Sequence, residues 1–495
     1  MESDYGMAES QKLRGLSDID KSDFLAIEVF TFTPHLEASG EICMEQLSHN
    51  NGALHCFIDV KNPDNTFAHH SSWYSKKNKV MSLHKVIRKK GVETLYLDSA
   101  EQSIIGSVEK FANIDVKSQE QLRALKYKDA NLGIGVLSSL ISKTRDSNPD
   151  IYANKDLIKT YLRSTATVYE YVVSVIEKVQ PKKVMVFNGR LACSKAISEA
   201  ARRMGVSVVY HERGATEDRY QLVDMPIHNL RGVRDRRDSL WASAGEGKEE
   251  IAKSFFTRKR MGDGIGWLSF TQSQVENKSP KRVAARRLVY FSSSDDEFAA
   301  IEDAVEHKLF ESQRVAIRWL INWASEQDDV ELVIRIHPHL VEKSEKEREW
   351  WCALSGENVV MIPPEDETDS YALADSSDIV LSFNSTIGIE ASYWGRPSIV
   401  LGDCLYSGLE CVYEPNNISD LQSLLETRGL CSKPKENCLP YGYHGVSFGV
   451  NYKYFQSEGF FLGTFFGERL TYESRFHQIL RRSKLLKLFG NMGKS

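Results

Sequence analysis

Short runs of apolar residues recur along the chain and alternate with segments in which apolar residues have helical spacing. The runs FLAIEVFTF (24–32), GALHCFIDV (52–60) and VETLYLD (92–98) are rich in β-branched, aromatic and aliphatic residues, which predicts strands. Residues 116–180 predict mostly helix, because their apolar positions repeat with helical periodicity. Strands that alternate with helices predict a parallel sheet covered by helices.

The same alternation continues further along the first half of the chain. KKVMVFNGR (182–190) and VSVVYHERG (206–214) each predict a strand followed by a loop, and the segment between them predicts a helix that ends at Gly205. We assign residues 23–276 to a first Rossmann-like lobe with a helical insertion. Residues 1–22 form a polar N-terminal tail.

A second α/β unit follows a polar stretch. Residues 215–281 are rich in Arg, Asp and Gly, and NKSPKR (277–282) is typical of an interdomain linker. The strands of the second unit are predicted within 287–297, 330–340, 358–366 and 369–403. We assign residues 283–465 to a second Rossmann-like lobe, although the pattern within 404–465 is hard to interpret.

The C-terminal segment, residues 466–495, predicts a basic amphipathic helix over RLTYESRFHQILRRSKLLKLFG (469–490). Its basic residues include Arg475, Arg481, Arg482, Lys484 and Lys487. The apolar stripe of this helix can pack on the first lobe, or its end can contact anionic lipid. We predict packing for its first part and a weak peripheral membrane contact for its last part.

Together these patterns predict an α/β fold with two Rossmann-like lobes that face a cleft. In open α/β sheets, ligands bind at the carboxyl ends of the strands. The loops that follow the strands are therefore the places to look for chemistry.

Composition narrows the functional classes. The 495-residue chain is 41% hydrophobic and 26% charged, with a net charge of −5, so its overall charge does not indicate a nucleic-acid-binding protein. The eight cysteines contain no CxxC pair, which disfavours zinc. The first twenty residues are polar, and no apolar run approaches the ~20 residues of a membrane span. We expect reduced thiols and a cytoplasmic protein.

The loop FNSTIGIE (383–390) follows a predicted strand and precedes a predicted helix. Asn384, Ser385 and Thr386 can simply cap that helix. The same hydroxyls, beside free N–H groups at a helix start, also suit a phosphate. Both interpretations remain open on the residues alone.

The strand in LVIRIHPHL (332–340) ends on His337, and Pro338 restricts His337 to extended geometry. An imidazole can donate a hydrogen bond to a phosphate oxygen. A lone His is more often structural, but His337 is expected at the same sheet edge as Ser385 and Thr386. Arg335 is a second cation nearby.

Two further loops carry candidate residues. In SSSDDE (292–297), Ser293 and Ser294 can face the cleft, whereas Asp296 is better explained as part of a helix cap. In HERG (211–214), Glu212 can act as a general base or form an ion pair with Arg213 or another Arg. In NGR (188–190), Asn188 and Arg190 can bind an acceptor or form only a turn.

These loops resemble the motifs of capsule-polysaccharide-biosynthesis-type bacterial glycosyltransferases with the GT-B architecture, such as bacterial sialyltransferases and Kdo transferases. The resemblance rests on Glu212-Arg213-Gly214, His337-Pro338 and Ser385-Thr386, which occur in the family's order. Arg213 stands where the family usually has a second acid. The segment 388–402 also resembles the GT-B donor segment, which implies that Glu390 bonds a ribose hydroxyl.

The resemblance implies a first lobe that binds the acceptor, a second lobe that binds the nucleotide-sugar, and a C-terminal helix that crosses back. It implies an inverting, metal-independent transfer in which Glu212 is the base, while His337, Ser385 and Thr386 stabilise the leaving phosphate. It also implies that the donor, CMP-Kdo or another CMP-sugar, is a substrate, and it implies no cofactor. The acceptor that it implies is a growing surface polysaccharide or a lipid-linked glycan.

Three alternatives fit the same loops. A sugar-nucleotide epimerase or a polyol-phosphate transferase would also bind phosphate there. A non-catalytic glycan-binding or assembly subunit would explain the departure at Arg213.

Overall fold

The computed structural model describes residues 19–49, 52–67, 73–98, 102–265, 274–293, 309–459 and 461–470. The first lobe contains strands β1 (Phe24–Glu28), β2 (Ala53–Ile58), β3 (Glu93–Leu97), β4 (Lys126–Tyr127), β5 (Ala130–Asn131), β6 (Lys183–Phe187), β7 (Ser207–Arg213) and β8 (Arg219–Val223). Its helices are α1 (His35–Gln46), α2 (Trp73–Arg88), α3 (Gln102–Ala112), α4 (Gln119–Arg123), α5 (Gly133–Thr144), α6 (Lys155–Val179) and α7 (Ala192–Arg203).

Two helices, α8 (Leu230–Ser243) and α9 (Lys248–Arg260), lie between the lobes in sequence. The second lobe contains strands β9 (Arg286–Phe291), β10 (Val330–Arg335), β11 (Val359–Ile362), β12 (Ile379–Ser382) and β13 (Ser398–Val400). Its helices are α10 (Gln313–Ser325), α11 (Glu345–Cys352), α12 (Ser370–Asp375), α13 (Ile387–Tyr393) and α14 (Ile418–Glu426). The last described elements are α15 (Leu439–Ser447), β14 (Val450–Asn451), β15 (Phe455–Gly459) and β16 (Leu462–Phe465).

The main sheet of the first lobe has the strand order β14-β8-β7-β6-β1-β2-β3. Strands β7, β6, β1, β2 and β3 are parallel. At one edge β8 pairs antiparallel with β7, and β14 pairs antiparallel with β8. Both faces are covered, because Leu25 and Ile27 of β1 join one apolar cluster while Phe24 and Ala26 join another. This explains why the strand reads as an almost continuous apolar run.

The second lobe repeats this architecture with five parallel strands in the order β11-β10-β9-β12-β13. In each lobe the first parallel strand lies between the second and the fourth. The order in which strands are added across the sheet therefore reverses beside the first strand. Successive residues of β9 again alternate between two apolar clusters, as Leu288 and Val289 do. The predicted fold class, α/β with two Rossmann-like lobes, is confirmed.

Helix α9 packs against the second lobe and against α15. Phe255 and Phe256 share an apolar cluster with Ile389 and Tyr406. Gly442 of α15 permits a close approach, because a Cβ there would lie 2.6 Å from the carbonyl oxygen of Ala252. The predicted first-lobe range, 23–276, thus includes a helix whose apolar face is buried on the other lobe.

The chain returns to the first lobe at its end. Strand β14 pairs with β8, and Phe455 and Phe465 of the β15–β16 hairpin join an apolar cluster with Phe24 and Leu36. The Glu41 carboxylate of α1 accepts hydrogen bonds from the main-chain N–H groups of Lys453, Tyr454 and Phe455. This return falls inside the range predicted for the second lobe, because strands this short leave little pattern in the sequence.

The predicted basic helix lies outside the described residues from residue 471 onward. In the described part of the chain, no helix combines the length and apolar character needed to cross a bilayer. All eight cysteines are free thiols.

Candidate functional site

A pocket of about 210 Å³ lies at the carboxyl edge of the second lobe's sheet. It is lined by the loops after β9, β10 and β12, by α12 and α13, and by residues that precede the second lobe. The lining residues are Lys259, Gln274, Phe291, Ser292, Arg335, His337, Pro338, Ser370, Tyr371, Ser385, Thr386, Ile387 and Glu390. The pocket lies where β9 and β12 are neighbours, which is the switch point at which open α/β sheets bind ligands.

His337 reaches this pocket from the end of β10. Its backbone is extended, with φ −61° and ψ 130°, which confirms the restriction predicted from Pro338. Its main-chain N–H donates a 2.8 Å hydrogen bond to Ser292 Oγ. Its Nδ1 accepts a 3.2 Å hydrogen bond from the main-chain N–H of His339. A neutral His337 therefore carries its proton on Nε2, where it is a hydrogen-bond donor.

Ser385 and Thr386 lie between β12 and α13. Thr386 occupies the cap position, but its side chain makes no capping hydrogen bond; its hydroxyl donates to Glu390 Oε1 at 2.8 Å. The Ser385 hydroxyl has no hydrogen-bond partner among the described residues. Simple capping therefore does not explain these hydroxyls, and α13, with seven residues, has a small dipole.

Glu390 forms one wall of the pocket and is 5% exposed. Its Oε2 accepts a hydrogen bond from the Tyr371 hydroxyl, while Oε1 accepts from Thr386. Burial, and after it the negative charge of Glu390, raises the pKa of Tyr371. Each carboxylate oxygen has a second lone pair, so these contacts leave acceptor capacity for a ribose hydroxyl.

Arg335 is the buried cation of the pocket. Its guanidinium donates to the carbonyl oxygens of Pro363 and Asp366, the latter at 2.8 Å. Burial lowers the pKa of Arg335, and the Asp366 carboxylate opposes that effect. Arg335 Nε is buried and has no hydrogen-bond partner in the described structure.

Two of the predicted donor residues, Ser293 and Asn384, are not part of the pocket lining. Ser293 is buried, and its hydroxyl accepts a 3.4 Å hydrogen bond from the main-chain N–H of Asn384. Of the described residues, neither of these two lines the pocket. Ser294, another predicted donor residue, lies outside the described residues. Ser292, which precedes Ser293 in the SSSDDE segment, lines the pocket instead.

Glu212 is the centre of a polar cluster at the carboxyl edge of the first lobe's sheet. Its Oε2 accepts a 2.7 Å hydrogen bond from Asn188 Nδ2, and its Oε1 accepts a 3.0 Å bond from the main-chain N–H of Arg213. His35 Nδ1 lies 3.5 Å from Oε1. The contact between Glu212 and Arg213 thus involves the main chain of Arg213, while the Arg213 guanidinium lies over the Phe461 ring.

Burial raises the pKa of Glu212, and the hydrogen bond from Asn188 is the largest opposing effect. Burial also lowers the pKa of His35 well below its usual value, with Arg213 adding to the effect. The contact between His35 and Glu212 is therefore between a neutral imidazole and a carboxyl group. A carboxyl group with a raised pKa is suited to proton transfer.

Asn188 positions Glu212. It adopts a left-handed conformation, with φ 60°, and its Oδ1 accepts a 3.2 Å hydrogen bond from the main-chain N–H of Arg190. Next to it, Gly189 has φ 86°, and a Cβ there would lie 2.4 Å from the Tyr210 ring. The Arg190 guanidinium donates to Ser138 Oγ at 3.0 Å.

Sequence reasoning missed several residues of these two sites. The missed residues of the pocket are Lys259, Gln274, Ser370 and Tyr371. The missed residue near Glu212 is His228, whose Nε2 lies 3.4 Å from Asn188 Nδ2. Burial lowers the pKa of His228 to about 3, so it is a neutral acceptor for the Asn188 amide. Among the described residues, no group of three or more His, Cys, Asp or Glu side chains is arranged to hold a metal.

The fold and the pocket define a two-lobed α/β protein with a pocket at a sheet switch point. Residues 301–418 match the family model of capsule polysaccharide biosynthesis proteins. This match covers under a quarter of the chain and includes His337, Ser385 and Thr386. The chain thus resembles the capsule-polysaccharide-biosynthesis proteins over most of its second lobe. No curated protein sequence matches the chain.

Solved structures give weaker likenesses. The β-Kdo 2,4-transferase KpsC of Thermosulfurimonas dismutans aligns with a TM-score of 0.36 and 13% identity, over 55% of this chain and 80% of that chain. The UDP-GlcNAc 2-epimerase of Methanocaldococcus jannaschii, in complex with UDP-GlcNAc and UDP, aligns with a TM-score of 0.30 and 14% identity, over 86% and 97%. These TM-scores are too low to indicate a shared fold or a shared activity.

Proposed function

We propose that this protein is an inverting glycosyltransferase that moves a sugar from a nucleotide donor to a growing surface polysaccharide or a lipid-linked glycan. The observation that carries the proposal is the convergence of His337, Ser385 and Thr386 on one pocket at the switch point of the second lobe. The capsule-polysaccharide match over residues 301–418 supports the biological setting.

In this proposal the pocket binds the phosphate of the donor. His337 Nε2–H and the Ser385 hydroxyl donate hydrogen bonds to its oxygens, and Thr386 lines the same wall. Donors that are already oriented in a partly buried site stabilise charge that develops on a leaving group. The side chains of this chain, rather than a metal, supply that stabilisation. The His-Pro motif favours CMP-Kdo or another CMP-sugar as the donor.

Glu212 is the proposed base of the first lobe. Its carboxylate takes the proton of an acceptor hydroxyl as the oxygen attacks the anomeric carbon of the donor sugar. The bond between that carbon and the phosphate oxygen breaks, and its electron pair leaves with the nucleotide. Attack opposite the leaving group inverts the anomeric configuration. The raised pKa of Glu212 brings its proton affinity closer to that required of a base near neutral pH.

The first test is a thermal-shift panel of the purified protein with CMP, CDP, UDP and GDP. A ligand that binds only the folded state raises the apparent Tm. We expect stabilisation by CMP that is lost in His337→Ala and reduced in Ser385→Ala. Stabilisation by another nucleotide would keep the glycosyltransferase proposal and change the donor.

Product analysis with the stabilising nucleotide's sugar then separates the possible reactions. A glycosyltransferase releases the nucleotide and lengthens the acceptor. An isomeric nucleotide-sugar would indicate an epimerase, and a product that retains phosphate would indicate a polyol-phosphate transferase. Glycan binding without nucleotide binding or donor hydrolysis would replace the proposal with a non-catalytic assembly subunit.

A further inference from the structure

Helix α9 reaches the pocket of the second lobe although it precedes that lobe in sequence. The ring of Phe256 stacks on Tyr393 with centroids 3.9 Å apart and planes 8° apart. Arg260 pairs with Asp375, and its guanidinium lies 4.8 Å from the Trp394 ring centroid. These contacts fix the C-terminal half of α9 against the second lobe.

Lys259 belongs to the last turn of α9 and lines the pocket. The neighbouring cations are already paired, Arg258 with Asp263 and Arg260 with Asp375. In contrast, the Lys259 ammonium group makes no hydrogen bond or ion pair with any described residue. The Lys259 charge contributes to lowering the pKa of Asp263, but Asp263 forms its direct ion pair with Arg258. An ammonium group that is held at a pocket by its helix and has no direct partner is available to an anionic ligand.

The other groups in the pocket also favour an anion. Arg335 adds a buried positive charge, and its Nε has no partner in the described part of the chain. The Glu390 carboxylate, which is the acidic side chain of the lining, is engaged by the hydroxyls of Tyr371 and Thr386. The site thus combines two cations with hydroxyl and imidazole donors, and this set suits a phosphate.

Helix α9 is also linked to Thr386 through the side chains of Tyr371 and Glu390. The Arg260 guanidinium lies 5.3 Å from the ring centroid of Tyr371. The Tyr371 hydroxyl donates to Glu390, which in turn accepts the hydroxyl of Thr386. Gln274, further along the same connection, accepts a 2.8 Å hydrogen bond from the main-chain N–H of Ser370 and lines the pocket as well.

We infer that Lys259 is a phosphate-binding residue and that the connection between the lobes completes the donor site. The identification of the phosphate as that of a nucleotide-sugar rests on the proposed function. The binding of an anionic phosphate by Lys259 does not. The connection therefore contributes directly to ligand affinity in addition to joining the lobes.

The test compares the affinities of wild-type protein, Lys259→Gln and Lys259→Arg for CMP, CDP, UDP, GDP and inorganic pyrophosphate. Lys253→Gln is the matched control, because Lys253 lies on the same helix, pairs with Glu250 and does not line the pocket. We expect Lys259→Gln to bind the preferred ligand at least about tenfold more weakly. Lys259→Arg should retain part of the affinity, and Lys253→Gln should bind as the wild type does.

Salt dependence separates a charge contact from a structural effect. The affinity of the wild type should fall as salt rises, and this slope should be smaller in Lys259→Gln. The inference would be overturned if Lys259→Gln and the wild type had equal affinities and equal salt dependence. If His337→Ala then failed to bind, the proposed function would still stand. Pyrophosphate binding that needs Lys259, without nucleotide binding, would support the inference and overturn the nucleotide donor. Absence of binding by every ligand would overturn both.

Discussion

The main-chain N–H of His337 donates a 2.8 Å hydrogen bond to the hydroxyl of Ser292, so the loop after β10 is fixed to the loop after β9. Ser292 is 2% exposed, and water cannot easily replace it as the acceptor. The position of the His337 imidazole therefore depends on a residue of the neighbouring strand.

Ser292→Ala should weaken both stability and nucleotide affinity. The substitution leaves the N–H of His337 without its acceptor, which costs about 1–3 kcal/mol in the free energy of unfolding. Chemical denaturation measures the first effect, and nucleotide titration measures the second. Ser82→Ala is the control, because the Ser82 hydroxyl bonds only within its own helix, to the carbonyl of Asn78. An unchanged affinity in Ser292→Ala would show that this bond does not position His337.

His337→Asn should separate the two roles of His337. An Asn side chain can still accept the hydrogen bond from the N–H of His339 and so cap the turn that follows. It removes the imidazole Nε2–H that is proposed to meet the phosphate. We expect a Tm within a few degrees of the wild type and roughly a tenfold or greater loss of kcat. Retained turnover in a folded variant would contradict the proposed role.

The pH dependence of the transfer reaction should report on Glu212. A base must be ionised to act, so activity is present above the pKa of Glu212 and is lost as the pH falls through it. Because burial raises this pKa, the acid limb of kcat/KM should lie above pH ~4.3, the ordinary value for Glu. Glu212→Gln should lower kcat by about 10²-fold or more.

Asn188→Gly should move that acid limb to higher pH. Asn188 donates the hydrogen bond that lowers the pKa of Glu212, and Gly accepts the φ of 60° at this position without strain. The substitution therefore removes the amide while keeping the backbone conformation. An acid limb that stays in place would mean that another group controls it.

Glu41→Ala should loosen the returning segment of the chain. Three main-chain N–H groups, from Lys453 to Phe455, lose their shared acceptor, so we expect a loss of about 2 kcal/mol or more in stability. Limited proteolysis should cleave the variant faster near these residues. Glu177→Ala on α6 provides the control, since Glu177 is exposed and has no hydrogen bond or ion pair to a described residue. Equal cleavage of both variants would argue against this anchoring role.

The strand ends of the second lobe were predictable because each buried strand is a compact apolar run. His337, Ser385 and Thr386 follow such runs within a few residues, and parallel strands bring their carboxyl ends to one edge. Local pattern was therefore sufficient to predict that these residues meet. It did not separate Ser292 from Ser293, since adjacent serines differ only in which one faces the pocket.

The contribution of α9 could not be predicted in this way. Its apolar residues are few, and its place depends on contacts such as the stack of Phe256 on Tyr393. These partners are far apart in sequence, so no periodicity connects them. The sequence pattern therefore does not distinguish Lys259 from the other charged residues of this polar segment. The return at β14 was hidden for a similar reason, because two residues, Val450 and Asn451, carry no strand pattern.

The pairing of β14 with β8 has a consequence for biosynthesis. Residues 24–223, which contain all the parallel strands of the first sheet, leave the ribosome well before Val450 is translated. Until then β8 is an open sheet edge, which is a site for pairing with other chains. The whole second lobe is translated in the interval. The half of the molecule that is made first is thus the half that is finished last, and nascent chains that stall before residue 450 would expose that edge.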